Sequence, residues 1–264
     1  TGPVALEPGS YRVVVSHGTE YSAWVEDVTV TAGATTVINA QVAPVVDSSG
    51  FISGDFHVHS LDSPDSNISR VNRVVSMLAE GVDFFTPTEH DFRADFAPTV
   101  AALGADALIR VATSAEMTTF DYGHFNAWPV PIDPGVVNGG GIDHGGAAAA
   151  GTDFPAYGNY SLPPGDIIAA VRADGATTVQ INHIHSFFGL GGGSGLAIDS
   201  GVEPPQSAVP GAARRLAPSI PNYFPSAPDR PNALEVWIGD DRGQVTNNLF
   251  GRNLGDWFNL LNQG

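Results

Sequence analysis

The chain has 264 residues, 42% of them apolar, no cysteine, and a net charge of −17 at pH 7. All of its basic residues are arginine, 11 in number against 28 acids, which excludes the basic face needed to displace counterions from nucleic acid or to hold an anionic membrane. The absence of cysteine excludes disulfides and thiolate zinc sites, and the apolar fraction is too high for disorder.

Residues 1–47 read as β-structure. Tyr11 to Val15 has strong β propensity, Trp24-Val25 and Val28 to Val30 follow, and Thr36 to Ile38 with Ala40 to Val42 are expected to return as a further strand. About three short strands with turns between them suggest a hairpin or part of a β-sandwich, which is marginal alone. Residues 43–50 read as a linker. The pattern then changes to alternating strands and helices, so the expected second domain covers residues 48–264.

Phe51 to His59 reads as a strand. Ser69 to Glu80 carries Val71, Val74, Val75 and Leu78 at helical spacing, and Gly81 is placed to end that helix. Val82 to Thr88 is a second strand, Ala97 to Ala107 a weak helix, Ile109 to Ala112 a third strand and Phe125 to Val130 another. Residues 135–160 and 186–230 are Gly/Pro-rich, and loops of that length in a compact domain are usually functional. Between them Gly165 to Ala173 reads as a helix and Thr178 to His183 as a strand. Ala233 to Ile238 is the last clear strand, and Asn253 to Leu261 starts a helix. Repeated βα units imply a mostly parallel sheet, open or closed. No apolar run approaches the roughly 18–20 residues of a membrane span. The lysine-free, cysteine-free acidic composition and the upstream β-module point to a secreted or periplasmic protein.

Six of the eight histidines lie at or just beyond expected strand ends, where βα architectures build their sites. His57 and His59 are spaced i, i+2, so a strand presents both imidazoles on one face. Two such rings are half of a site for zinc or another first-row ion. In the following turn, Ser63-Pro64-Asp65, the Asp65 carboxylate can come back to the ions, with Asp62 as its competitor. His90 ends a very apolar strand in Thr88-Glu89-His90-Asp91. There a charged tip is costly unless it serves a function, and Asp91 is placed to orient an imidazole. Glu116 follows the Ile109–Ala112 strand, and His124 comes eight residues later. A carboxylate can bridge two ions, which an imidazole cannot. His183 and His185 close another apolar strand. His17 and His144 stand in polar or glycine-rich surroundings without an evident partner.

These pieces together, Gly54-Asp-Phe-His57-Val-His59-Ser, Thr88-Glu-His90-Asp91, Glu116 with Gly123-His124, and Asn182-His183, resemble the PHP family, named for polymerase and histidinol phosphatase domains. The Gly-His-Phe-Asn-Ala run and Leu234-Glu-Val-Trp237 are closest to its CehA/McbA-like branch. The resemblance covers about residues 50–264, and residues 1–47 look like the end of an upstream β-sandwich module.

The resemblance implies an α/β fold, a distorted (β/α)7 barrel with two or three divalent ions (zinc, manganese or iron) at the C-terminal ends of its strands. It implies that His57, His59 and Glu116 hold one ion, that Glu116, His124 and His183 hold a second, and that His90 and Asp65 contribute to a third. The family's late Asp-x-His motif is missing after Trp237, so a C-terminal continuation or another chain is expected to complete the site. The implied activity is hydrolysis of a small-molecule ester by a metal-bridged hydroxide. A phosphoester is the first substrate expectation and a carbamate or carboxylic ester the second. Glu116, Asp91 and His185 are the candidate catalytic residues; His185 and Arg242 are placed to bind an anionic substrate or protonate a leaving group, with a structural role the stronger expectation for both. A non-catalytic secreted scaffold or adhesion module with a structural metal site is the reading from another class.

Overall fold

The computed structural model describes residues 2–119, 123–144, 162, 164–183, 198–199, 206–207, 231–236, 257–258 and 261. In chain order these form β1 (Gly9–Val15), β2 (Trp24–Val30), β3 (Gly54–Val58), α1 (Arg70–Ala79), β4 (Phe84–Pro87), α2 (Ala97–Ala102), β5 (Arg110–Val111), β6 (Ala115–Thr119), β7 (Gly123–Trp128), a single 3-10 turn (Val137–Gly139), α3 (Pro164–Ala173), β8 (Thr178–Ile181), β9 (Ile198–Asp199), β10 (Gln206–Ser207) and β11 (Ala233–Leu234). The strands fall into four open sheets, β1-β2, β10-β9, β11-β8-β7-β6 and β3-β4-β5. The architecture is mixed α/β, and no closed barrel is formed among the described residues.

The chain divides into two compact units. The first comprises residues 1–55, 69–85 and 98–110. Here β1 and β2 pair antiparallel from Gly9↔Val30 to Val15↔Trp24. Residues 36–42 do not add the expected third strand. Val37 is 75% exposed, so that segment has no apolar face to cover, and Thr36 spends its hydroxyl on the Thr29 carbonyl. The stretch read as a linker is fastened at its start: Ser22 N–H reaches Ala43 O and Val45 N–H reaches Glu20 O. Helix α1 starts at Ser69, whose hydroxyl accepts the Asn72 N–H, and Gly81 follows its end at φ +69°. Its buried residues are Val74 and Met77, while Val71 and Val75 of the expected stripe face outward. His17 does have a partner, because its Nδ1 lies 2.8 Å from Ala79 O. Gly18 next to it admits no side chain, since a Cβ there would stand 2.0 Å from Glu80 O.

The second unit comprises residues 56–68, 86–97 and 111–264. Its framework is the four-stranded sheet. Strands β6 and β7 are antiparallel, with Glu116↔Asn126 and Thr118↔His124 opposed. Strands β7 and β8 are also antiparallel, while β11 is parallel to β8. This sheet is therefore mixed, not mostly parallel as the βα pattern suggests. The step from Thr119 to Gly123 is too short for a crossover helix, so it must reverse the chain.

Period-2 alternation gives this sheet two unlike faces. Met117, Phe125, Ala127, Val179 and Ile181 pack with Ile167, Ile168 and Val171 of α3 into a buried apolar core. The alternate residues Glu116, His124, Asn126, Gln180 and Asn182 are buried too, but polar. They form the floor of the site described next.

Candidate metal centre

Glu116 lies inside β6, not in a loop after a strand as the sequence suggested, and its side chain is fully buried. A buried carboxylate is costly unless charge or hydrogen bonds compensate it. Five imidazoles surround this one. His124 sits diagonally across the β6–β7 ladder, with Nδ1 3.1 Å from Glu116 Oε1. His57 Nε2 and His183 Nε2 lie 3.4 and 3.6 Å from the same oxygen. On the other oxygen, Oε2, His90 Nδ1 stands at 3.0 Å and His59 Nε2 at 3.4 Å. Oε2 nevertheless makes no hydrogen bond and is sealed from solvent.

These spacings fit metal coordination. Two donors on one tetrahedral ion, each about 2.0–2.1 Å from it, stand about 3.3–3.4 Å apart. Three groups can each hold an ion: His57, Glu116 and His183; His59, Asp65 and His90; and His90, Glu116 and His124. His57 Nε2 and His59 Nε2 are also only 3.0 Å apart, so this pair with Glu116 suits a shared ion as well. Asp65, and not Asp62, is the turn carboxylate beside His90, with Oδ2 3.3 Å from Nε2. His90 belongs to two groups through different nitrogens, yet a neutral ring has a single lone pair, so it can serve only one ion at a time. Its Nδ1 lies 2.5 Å from Thr118 Oγ1. Donation there leaves Nε2 for the group with Asp65.

Strand ends and turns supply the supporting contacts. Glu235, just past β11, takes the His57 Nδ1 at 2.8 Å with one oxygen and accepts the His183 N–H at 2.6 Å with the other. His183 is held at φ +27°, a backbone cost that persists only where surroundings enforce it. Asn182, fully buried, donates to Glu116 Oε1 at 2.9 Å and to Asn126 Oδ1 at 2.8 Å. Gln180 donates to Asn182, and Asn126 donates to the Phe56 carbonyl. Sequence reasoning missed Glu235 as a site residue. The signal was present as a lone carboxylate inside the apolar Ala233–Ile238 run, where burial needs a partner.

Asp91 does orient an imidazole, but that of His144, whose Nε2 lies 2.7 Å from its Oδ1. The Thr118 N–H donates to the same oxygen. His144, expected to stand alone, is thus tied in, and Asp91 adopts φ +53° to reach it. His185 and Arg242 lie outside the described residues. Trp128 stacks on Phe56 with ring centroids 5.4 Å apart.

Electrostatics follow the geometry. Burial alone would raise the Glu116 pKa, but the surrounding imidazoles of His124, His183, His57 and His90 outweigh it and hold it well below the ordinary value. Burial opposes charging of His57, yet Glu116 and Glu235 overcome it and raise its pKa to about 10. His59, desolvated and beside His57 and His90, falls to about 4 despite Glu116. His90 is raised, since Glu116 and Asp65 outweigh its burial. His124 is lowered by burial. His144 is raised by its hydrogen bond to Asp91. Without a cation, the cluster keeps its carboxylate charged by protonating selected rings.

No family model matches the chain, and no curated protein matches it. Among solved structures it is similar to a two-domain protein from Bacteroides vulgatus containing a predicted PHP-like metal-dependent phosphoesterase, with a TM-score of 0.34 and 23% identity over 59% of this chain. The similarity spans 41% of that protein's length.

Proposed function

We propose that this chain is a metal-dependent hydrolase of the PHP type, acting on phosphoesters, in which Glu116 bridges two divalent ions. The observation that carries the reading is Glu116 itself, fully buried, ringed by five imidazoles, and with one oxygen lacking a hydrogen-bond donor. An acceptor left bare in a sealed site is explained by a cation that occupies it. His57, His183 and Glu116 would take one ion, and His59, Asp65 and His90 the other, with Glu116 Oε2, 3.4 Å from His59 Nε2, as the shared donor. Zinc, manganese and iron all accept imidazole and carboxylate donors. The fold side of the reading is that the second unit belongs to the family's distorted (β/α)7 barrel. The parallel bridge between His90 and Glu116, which continues β4 toward β6, supports it.

When bound, such ions supply Lewis acidity and make water a nucleophile near neutral pH. The chain's own residues do the positioning. Glu235 fixes the His57 ring so that Nε2 faces Glu116. Asn182 holds Glu116 Oε1 in place with a neutral donor, which leaves the carboxylate its charge. Asp91 holds His144 through Oδ1, so any part Asp91 plays in the reaction passes through that ring.

The test is elemental analysis and turnover of bis(p-nitrophenyl) phosphate by the wild type and by Glu116→Gln, after loading with zinc, manganese or iron. The expected result is two ions per wild-type chain, with affinity down at least about 100-fold and no turnover in the variant; loss of a supporting partner alone costs about 10–100-fold. Turnover of carboxylic or carbamate esters without the phosphodiester would overturn the substrate class. Full metal content and activity in Glu116→Gln would sink the bridging role, and absence of metal from the wild type would favour a scaffold.

A further inference from the structure

The turn after β3 and the residue after Thr88 build a buried polar cradle that the metal chemistry above leaves unused. Ser60 to Ser63 form a turn closed by Ser63 N–H to Ser60 O at 3.0 Å. Glu89 is fully buried beside it. Three donors meet its carboxyl group: Ser60 N–H at 2.9 Å, Ser60 Oγ at 2.5 Å and Ser63 Oγ at 2.7 Å. A hydroxyl has one hydrogen. With that hydrogen committed to Glu89, Ser63 Oγ can only accept from its other two neighbours. These are the His90 N–H at 3.0 Å and the His59 Nδ1 at 3.0 Å. His59 Nδ1 must then carry its proton, which leaves the Nε2 lone pair facing Glu116.

We propose that Ser63 and Glu89 are positioning residues that lock His59 in the Nδ1–H tautomer and so set the ion affinity of the His59–Asp65–His90 group. The consequence for affinity rests on the metal-dependent reading, while the tautomer does not. The relay is directional. Glu89 receives the Ser63 hydrogen, Ser63 receives the His59 hydrogen, and a ligand nitrogen is exposed without either residue touching an ion. Removing the hydroxyl frees His59 to place its proton on Nε2, which a metal must then displace. Glu89→Gln can keep an oxygen where Ser60 N–H and Ser63 Oγ converge, its amide turning toward Ser60 Oγ, so Ser63 keeps its orientation. The loss is therefore expected from Ser63→Ala and not from Glu89→Gln.

The experiment is long-range ¹H–¹⁵N correlation of the histidine rings in the metal-free whole chain at pH 8, paired with zinc titration against a competing chelator. Wild type, Ser63→Thr and Glu89→Gln should show His59 with the proton on Nδ1. Ser63→Ala should show a mixture of tautomers and lose about 10–100-fold in affinity for one of its ions, the range for loss of a partner that orients a ligand. Thermal unfolding of each variant establishes that the chains compared are folded. An Nε2–H tautomer in the wild type overturns the proposal, and so does a Ser63→Ala chain with unchanged tautomer and unchanged zinc affinity. Should the wild type bind no zinc, the hydrolase reading fails, and the tautomer data alone still decide the inference.

Discussion

The Nε2 atoms of His57 and His59 face each other at 3.0 Å, while the Nδ1 atoms of both rings are engaged, by Glu235 and Ser63. Two lone pairs at that distance repel unless a cation lies between or beside them. That cation is either a proton or a metal ion, so the two compete for one place.

Metal loading should therefore release protons. His57, raised to about 10, is charged at neutral pH in the metal-free chain, whereas His59, lowered to about 4, is already neutral. At least one proton per chain should leave on binding at pH 7, since His90 is raised as well, and affinity should rise with pH up to about 10. Calorimetry in buffers of different ionisation enthalpy measures this, and a heat that does not depend on the buffer would refute it.

The same rings set the stability of the metal-free protein against pH. The folded pKa of His57 lies above its ordinary value of 6.5, so its contribution is fully present below 6.5 and is lost as pH rises toward about 10. His59 has the opposite sign. The unfolded chain takes its proton near 6.5 and the folded chain only near 4, so stability drops as pH falls through that window. The contribution of these two groups should peak near pH 6.5. Chemical denaturation across pH 4–10 in the presence of a chelator checks it, and a wild type minus His57→Gln difference that does not decline between pH 6.5 and 10 would contradict it.

Glu235→Gln should weaken metal binding by about 10–100-fold with little change in secondary structure. The native carboxylate accepts from both His57 Nδ1 and the His183 N–H. An amide offers one oxygen and turns a donor toward the other partner. Competition with a chromophoric chelator reads the loss, and wild-type affinity would remove Glu235 from the centre.

Asp91→Asn should lower the His144 pKa toward 6.5, because the raising hydrogen bond loses its charge. Asparagine tolerates the left-handed backbone at this position, so the fold should survive. In the wild type, the stability that His144 adds is present below 6.5 and is lost as pH rises through its raised value. The variant should flatten that loss. The ring's NMR titration is the measurement, and an unmoved midpoint would show that Asp91 does not control it.

Phe125→Ala should cost about 3–5 kcal/mol, the range for deleting a buried aromatic side chain. Phe125 is fully buried, one residue from His124 on the opposite face of β7. Denaturant unfolding of the metal-free chain should report that cost, and a loss under about 1 kcal/mol would mean that the core beneath the cluster is not packed as described.

What was legible in the sequence was local. His57 and His59 share a strand face because the side-chain period is 2, and α1 follows from its apolar spacing and its Ser69 cap. Asp65 was separable from Asp62 only in three dimensions, because both lie in the same turn. Strand β6 went unread because Ala115 to Thr119 is buried on both faces, with Glu116 and Thr118 on the polar one. Its alternation, Ala115 and Met117 against Glu116 and Thr118, is too short to mark a strand by itself. Glu235 lies 178 residues from the His57 it holds, and no spacing rule spans that separation. The expected strand at 36–42 had the propensity but nothing to cover.

The two faces of the four-stranded sheet have a consequence for how this chain can change over time. Core and cluster are interleaved residue by residue along β7, with His124 and Asn126 on one side and Phe125 and Ala127 on the other. Inserting or deleting one residue there would turn the imidazole into the oily layer and the phenyl ring onto the carboxylate. Substitutions can be sampled singly on either face, but a length change in this strand has to be accepted or rejected by folding and chemistry together. Divergence among descendants of this chain should therefore accumulate as insertions in the connections and leave the strand lengths as they are.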